Sequence, residues 1–384
     1  MRLRWAAWVL VMVGILAATA PADAQGLSDA LNALLSNGCT GLRGNTGPFG
    51  PELTQICQGG GAASTAGGSV GAEARGGVDQ ESLYRRLRQR QSAASADTGG
   101  AQGPSLFASI DYQNFDKDTT RFEAGFQRDT VGGTIGADYL FRSGLILGTA
   151  ITYGHEFGSF DTGGGFDHDV YGILAYGSFA PIANMFVDTV AGYRRKDYSF
   201  DRNASFVRPG LAVSGPTSGD TEGNEFRLGA NLGYDFLIGR FAIGPRVGVL
   251  YRETTINGFR ESGRTGLELE YDNQNIQSLT TTAGVFGSVA ISTGIGVIVP
   301  QASAEYVHEF LDDQRSVGFR FAQDPTPRRF LFQTDPPDRD YFNIGVGVSM
   351  VLANGFQPFL NFRELVGYND RSSHTVTVGL RVPF

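Results

Sequence analysis

The C-terminal stretch Arg371–Phe384 reads RSSHTVTVGLRVPF, and its pattern decides the fold class. Apolar side chains alternate here with small polar ones, which is the period-two pattern of a β-strand. One face carries Val376, Val378, Leu380, Val382 and Phe384, and the other carries Ser373, Thr375, Thr377, Gly379 and Arg381. In a soluble sandwich the apolar face would be buried in a protein core. In a transmembrane barrel it would contact lipid, and the polar face would line a water-filled lumen.

Similar strands fill the chain from Ser105 onward, and the composition of their two faces favours the barrel. Phe226, Leu228 and Ala230, for example, alternate with Arg227 and Gly229. The charged residues tend to share a face with glycines, whereas the opposite face stays apolar for about ten residues, the length of a membrane strand. The residues that we expect to face the lumen are Asp138, Asp188, Arg194, Arg227, Asp235, Arg246, Glu305, Arg363 and Arg381.

The connections between these strands alternate between short turns and long or polar loops. The long ones are expected at Asn114–Thr120, Gly158–Asp167, Asp201–Thr221, Thr254–Asp272, Leu311–Arg339 and Gly367–Ser372. This alternation is typical of outer-membrane barrels, and an even number of strands returns both ends of the barrel to one side. The sequence therefore predicts an all-β transmembrane barrel of about 12 antiparallel strands.

The N-terminus has the three parts of a secretory signal. Arg2 and Arg4 precede an apolar stretch at 5–18, and Ala22-Asp23-Ala24 forms a small-residue cleavage site. A membrane anchor is the alternative, but the apolar stretch is too short to span a bilayer comfortably. We predict a signal peptide over 1–24, with the mature chain beginning at Gln25.

Residues 25–77 differ in composition from the strand-rich part. Cys39 and Cys57 are the only cysteines, and in an exported chain their natural pairing is a disulfide. Closing a loop of that length stabilises by about 3 kcal/mol in the chain-entropy description. The stretch 59–77 is rich in glycine, which predicts a flexible linker.

Residues 78–98 form a basic helix candidate. Asp79 is a suitable N-cap, and the helix would carry Leu83, Arg85, Arg86, Leu87, Arg88 and Arg90. It is either a solvated surface helix or a helix lodged in an acidic, water-filled channel.

From Ser105 to Phe384 the chain resembles the autotransporter β-domain of type V secretion. The matching segments are Val131–Gly154, Asp169–Phe179, Thr221–Phe236, Gly258–Leu279, Ala304–Asp313 and the last strand. The resemblance implies a twelve-stranded barrel, an N-terminal passenger and a linker helix threading the pore, where 78–98 stands. The arginines of that helix would then pair with lumen acids such as Asp138, Asp188, Asp235 or Glu305.

The resemblance also implies partners: outer-membrane lipid and lipopolysaccharide, periplasmic chaperones and the barrel-assembly machinery, for a monomeric barrel. The apolar face Val376, Val378, Leu380, Val382 and Phe384 resembles the signal that the machinery reads; the alternative is a strand that only closes the barrel.

Two features depart from the family. The penultimate residue is Pro383, and 25–77 is too short for a β-solenoid passenger. Because no Asn-Asn pair for self-cleavage is found, we expect the passenger to stay attached.

The sequence offers no constellation for catalysis. His155, His168, His308 and His374 are scattered and form no metal motif, and no nucleophile elbow is found. A net charge of −8 argues against nucleic-acid binding. We expect no enzymatic activity and no cofactor.

The predicted function is an outer-membrane translocator barrel that exports or displays the small N-terminal passenger at the cell surface. That segment would be periplasmic before export and surface-exposed after it. The alternatives are a plugged barrel acting as a surface adhesin or ligand-binding protein, and a porin-like channel.

Overall fold

The computed structural model describes residues 103–208, 211–324, 329–353 and 355–384, and these residues are organised as β-strands. None of them belongs to a helix long and apolar enough to cross a bilayer. The predictions for 1–24, 25–77 and 78–98, including the Cys39–Cys57 disulfide and the basic helix, lie outside the described residues.

In chain order the strands are β1 (Gly103–Lys117), β2 (Phe126–Leu140), β3 (Ile146–Phe160), β4 (Gly164–Phe179), β5 (Met185–Arg208), β6 (Leu211–Tyr234), β7 (Phe236–Ile238), β8 (Phe241–Ile256), β9 (Phe259–Arg260), β10 (Ser262–Gly263), β11 (Leu269–Tyr271), β12 (Gln274–Val289), β13 (Ile291–Thr293), β14 (Gly296–Glu309), β15 (Ser316–Phe321), β16 (Phe330–Gln333), β17 (Asp340–Leu352), β18 (Gln357–Val366) and β19 (Arg371–Pro383).

Twelve long strands form a closed antiparallel barrel. The ring runs β1, β2, β3, β4, β5, β6, β8, β12, β14, β17, β18, β19 and back to β1. The last strand closes on the first in a continuous register from Ser105↔Pro383 to Lys117↔Arg371. A closed sheet satisfies the backbone hydrogen bonds of every strand, which is the condition for crossing a bilayer. The predicted twelve-stranded antiparallel barrel is confirmed.

The two faces of the wall differ as the sequence pattern requires. Along β1 the inward residues Ser105, Ser109 and Asp111 are buried, whereas Leu106 and Ile110 point outward and are 49% and 66% exposed. Large apolar residues point outward from strands all round the barrel, so its outer wall presents an apolar band.

A girdle of outward tyrosines marks one edge of that band. The hydroxyl of Tyr112 donates to Asp129 at 2.7 Å, and the hydroxyl of Tyr153 donates to Asp169 at 2.7 Å. Further round the ring, Tyr306 donates to Asp340. Tyrosines with an apolar ring and a wet hydroxyl are typical of membrane interfaces.

The two ends of the barrel have different connections. The turns 141–145 and 180–184 lie at the short-turn end, where β1 begins and β19 ends. The opposite, long-loop end carries the connections 118–125, 257–273 and 310–339. Short turns and long loops alternate along the chain as predicted. Two of the predicted long loops are wrong.

Gly158–Asp167 and Asp201–Thr221 are mainly strand. In the first, β3 and β4 meet at a turn over 161–163. In the second, β5 and β6 continue for 24 residues each, against 15 in β1. The physical reason is that the inward side chains of these extensions, Phe160, Phe166 and Phe200, pack into a buried apolar core.

Candidate functional site: the lumen and its outer mouth

A clasp of buried polar groups joins the first, second and last strands near the short-turn end. Arg381 Nη2 donates to Ser105 Oγ at 2.7 Å and to Asp138 Oδ1 at 3.1 Å. Ser105 Oγ in turn donates to Asp138 Oδ1 at 2.9 Å. All three side chains are buried on the inward face, so an ion pair bridges the seam where the barrel closes.

An apolar patch covers the inward wall beside this clasp. It consists of Phe107, Ile146, Ala150, Leu174, Tyr176 and Val190, which belong to β1, β3, β4 and β5. The lumen at this end is therefore not uniformly polar.

A charged belt crosses the middle of the lumen. Glu225 accepts from Arg227 at 2.5 Å, and both side chains are buried. The inward residues Arg194, Lys196 and Arg252 lie nearby on β5 and β8. The wall formed by β5, β6 and β8 thus carries a basic surface around one carboxylate.

The residues that the sequence predicted to line the lumen occupy the following places. Asp138, Asp188, Arg194, Arg227, Arg246 and Arg381 are buried on the inward face, and Glu305 and Arg363 are partly buried there. Asp235 lies in the connection from β6 to β7, where it pairs with Arg246. Asp188 accepts a hydrogen bond from Ser178 at 2.6 Å. Several of the acids are therefore held by partners within the barrel.

The long-loop end is covered by a structure that we call the cap, residues 257–273, 310–324 and 329–339. Its centre is a four-stranded sheet in the order β16, β15, β11, β9. It is built from two connections, the one between β8 and β12 and the one between β14 and β17.

An aromatic core joins the cap to the barrel wall. The wall contributes inward side chains from β1 to β5, and the cap contributes residues from its sheet and the adjoining turns. Phe200 and Phe259 lie with ring centroids 4.8 Å apart, and Phe259 stacks on Tyr271 at 4.6 Å. The wall residues are Phe115, Phe126, Phe160, Phe166, Phe200 and Ala204, and the cap residues are Phe259, Leu267, Leu269, Tyr271, Val317, Phe319, Phe321 and Phe332.

Two buried ion pairs tether the cap to the wall on different sides. On β5, the Arg202 guanidinium donates to both oxygens of Glu261, at 2.7 and 2.6 Å, and to the carbonyl of Leu267 at 3.0 Å. At the end of β1, Lys117 Nζ lies 2.6 Å from Asp335 Oδ2. Charged pairs of this kind are retained only where geometry and hydrogen bonds compensate for desolvation.

Glu123 belongs to the second tether. Its Oε2 accepts from the Asp335 amide at 2.9 Å and lies 3.9 Å from Lys117 Nζ. Burial raises the pKa of the Glu123 carboxyl above its usual range and outweighs the opposing effect of Lys117.

Sequence reasoning missed the cap, because its residues were assigned to surface loops. A signal was available in two short runs, Leu267–Tyr271 (LELEY) and Val317–Phe321 (VGFRF), which alternate apolar and polar residues as strands do. The runs are only about five residues long and have no lipid-facing side.

The proposed assembly signal lies on the outward face of β19. Val376, Val378, Leu380 and Val382 point away from the lumen, and Phe384, just beyond the strand, is 65% exposed. Three histidines also face outward, and each is next to a carboxylate: His155 by Asp169, His308 by Asp340 and His374 by Glu364. Within the described ranges, no group of three acidic, histidine or cysteine side chains is arranged to hold a metal ion.

Comparison with known proteins identifies the family. The model of the autotransporter β-domain matches residues 106–363, about two thirds of the chain. The chain belongs to the autotransporter β-domain family. It is an outer-membrane barrel of the translocator type, with its short turns on the periplasmic side and its long loops and cap outside.

Solved structures of this family have a similar barrel. The translocator domain of the autotransporter NalP from Neisseria meningitidis gives a TM-score of 0.62 at 16% identity, over 84% of this chain and 100% of that one. The β-domain of the Bordetella autotransporter BrkA gives 0.52 at 14% identity, over 73% of this chain and 100% of that one. At these identities the likeness shows the fold alone.

A curated relative is longer than this chain. The protein named Esterase EstA of Pseudomonas aeruginosa is 28% identical over 176 residues, which is 43% of this chain. The aligned stretch spans 25% of that relative, about a quarter of its length.

Proposed function

We propose that the barrel carries residues 25–77 across the outer membrane and displays them, still attached, at the cell surface. The observation that carries the proposal is the position of Gly103, which begins β1 at the periplasmic end of a closed barrel of the autotransporter family. A segment that precedes Gly103 and ends at the surface must pass through the lumen.

The length of residues 78–98 supports this route. As an α-helix this segment would extend for roughly 30 Å. The apolar band of an outer-membrane barrel is about 25 Å tall. The segment is therefore long enough to connect a surface passenger to β1, with its arginines in the lumen.

We propose that the barrel transports and displays the N-terminal segment and catalyses no reaction. The name of the relative EstA describes that protein as an esterase. The part of EstA that aligns with this chain is only 25% of its length. In the present chain, residues 25–77 offer two cysteines for a disulfide and no catalytic motif. We propose that this segment acts by binding or contact.

An epitope inserted after Gly60 tests the proposal. Antibody should bind it on intact cells, because the segment is displayed. The matched control is the same epitope inserted after Gly144, in a periplasmic turn with an unobstructed glycine at φ +79°. It should be detected only after the cells are permeabilised. An epitope at Gly60 that behaves like the control would refute display.

The cap favours one alternative function enough to test it. A barrel whose outer mouth is covered by its own folded loops is suited to act as a plugged surface protein rather than as an open porin-like channel. Planar-bilayer conductance of the purified protein, with and without residues 79–95, separates the two. A large steady conductance of the full chain would support the channel.

A further inference from the structure

The cap lies over the mouth of the barrel and contacts its wall on different sides. One of its two connections is rooted on β14, which lies six strands from β3, half way round the ring of twelve. Its side chains nevertheless share one buried core with Phe126, Phe160 and Phe166 of β2, β3 and β4. Through this shared core the cap extends over the opening towards the opposite wall.

The cap is also built as a separate unit. Its four-stranded sheet is not part of the barrel ladder. Bonds within the cap hold it together, such as Glu261 N to Leu269 O at 2.8 Å and Ala322 N to Glu268 O at 2.8 Å. The strand pairing that joins it to the wall is the two-residue ladder of β10 on β6, Ser262↔Ser218 and Gly263↔Thr217. A cap that left the mouth would break this two-residue ladder and leave the pairing of the twelve barrel strands intact.

We infer that the cap is a movable lid that closes the outer mouth, and that the Arg202–Glu261 and Lys117–Asp335 ion pairs latch it shut. The two latches lie on β5 and β1, on either side of the aromatic wall residues. Both are withdrawn from water, since the side chains of Arg202 and Glu261 are 2% and 0% exposed and that of Lys117 is 1% exposed. Removing one partner leaves the other charge buried, which favours the open position of the lid.

The lid goes beyond the proposed display of the passenger. A displayed segment that stays attached to Gly103 has to leave the lumen past the edge of the seated lid. Lid seating and display of the N-terminal segment are therefore measured separately.

Cysteine labelling on intact cells tests the lid in the full-length chain with Cys39→Ser and Cys57→Ser. Val317→Cys places a thiol in the core beneath the cap, where Val317 is 2% exposed. Leu331→Cys is the matched control on the same sheet, where Leu331 is 66% exposed. A membrane-impermeant maleimide should modify the control at once and the core thiol at least tenfold more slowly.

Removing one partner from each ion pair should end the protection of the thiol at Val317→Cys. With Arg202→Ala and Lys117→Met together, the thiol of Val317→Cys should react within a few-fold of the control. Outer-membrane level and heat-modifiable migration show that the barrel itself has assembled; Glu261→Gln, which keeps the side-chain shape, serves if the double variant does not assemble.

Two results would overturn the inference. Equal labelling of Val317→Cys and Leu331→Cys with both ion pairs intact would mean that no lid is seated. Continued protection of Val317→Cys after both ion pairs are removed would mean that they do not hold the lid. Neither result depends on whether the epitope after Gly60 reaches the surface.

Discussion

The barrel is closed in two places, and the two closures use different bonds. At the seam, β19 pairs with β1 through backbone hydrogen bonds in a register from Ser105 to Lys117, and the Arg381 clasp reinforces it. At the outer mouth, the cap is held chiefly by side chains, an aromatic core and two ion pairs. A backbone ladder opens only when the fold is lost, whereas a side-chain closure can open while the fold survives.

The largest expected effect is at the seam. Arg381→Ala should leave Asp138 buried without its ion-pair partner, and breaking such a pair costs about 3–5 kcal/mol. We expect the folded barrel in the outer membrane to fall to a small fraction of the native level, measured by heat-modifiable migration. Arg142→Ala, in an exposed periplasmic turn, is the control and should have little effect. A native level for Arg381→Ala would show that the ladder alone closes the seam.

The next effect is in the core of the cap. Phe319→Ala should destabilise the seated cap by about 3–4 kcal/mol, because a buried aromatic side chain is replaced by a cavity. The barrel should remain assembled, while added protease on intact cells cuts the cap faster. Leu331→Ala removes an exposed side chain from the same sheet and should leave the cutting rate unchanged. Loss of the whole barrel in Phe319→Ala would erase the distinction between the two closures.

Deleting Phe384 should have a smaller effect on the amount of barrel than Arg381→Ala. The residue lies beyond the last strand, 65% exposed, with its amide donating to the carbonyl of Pro104 at 3.1 Å. If the assembly machinery reads this end by edge pairing, outer-membrane level should fall several-fold. Quantifying the protein in purified outer membranes checks this. A normal level would favour the simpler role of β19 as a closing strand.

The smallest effect is expected at Glu123. Since burial raises its pKa, the folded cap favours the protonated carboxyl. The associated stability is present below the usual pKa of a glutamate and is lost as pH rises through the raised value. Glu123→Gln should therefore seat the cap more firmly, by up to about 1 kcal/mol, and the difference should grow from pH 5 to pH 8. Labelling of Val317→Cys over this range is the measurement; a difference that shrinks with pH would reverse the assigned sign.

The sequence could predict the barrel because one physical cause acts on every strand. Lipid outside and water inside impose the alternation that is visible in Arg371–Phe384, and it fixes the strand class, the approximate count and the inward face. The outer extensions of β5 and β6 leave the membrane, so their outward side chains become polar and the lipid signal ends. For that reason Asp201–Thr221 resembled a loop.

The cap could not be predicted in the same way. Its strands are two to six residues long, and their partners come from connections that are separated along the chain. Nothing in Glu261 or Asp335 indicates that their partners are Arg202 and Lys117, which lie 59 and 218 residues away. These pairs exist only because the barrel brings opposite walls within reach of the loops.

The tyrosine girdle has a consequence for how deeply the molecule sits in the bilayer. Each of the hydroxyls of Tyr112, Tyr153 and Tyr306 is tied to a carboxylate that would be costly to draw into hydrocarbon. The protein is therefore fixed at one height, and a thicker or thinner patch of membrane has to deform around it. The rim above the girdle keeps its distance from the lipid headgroups wherever the protein diffuses.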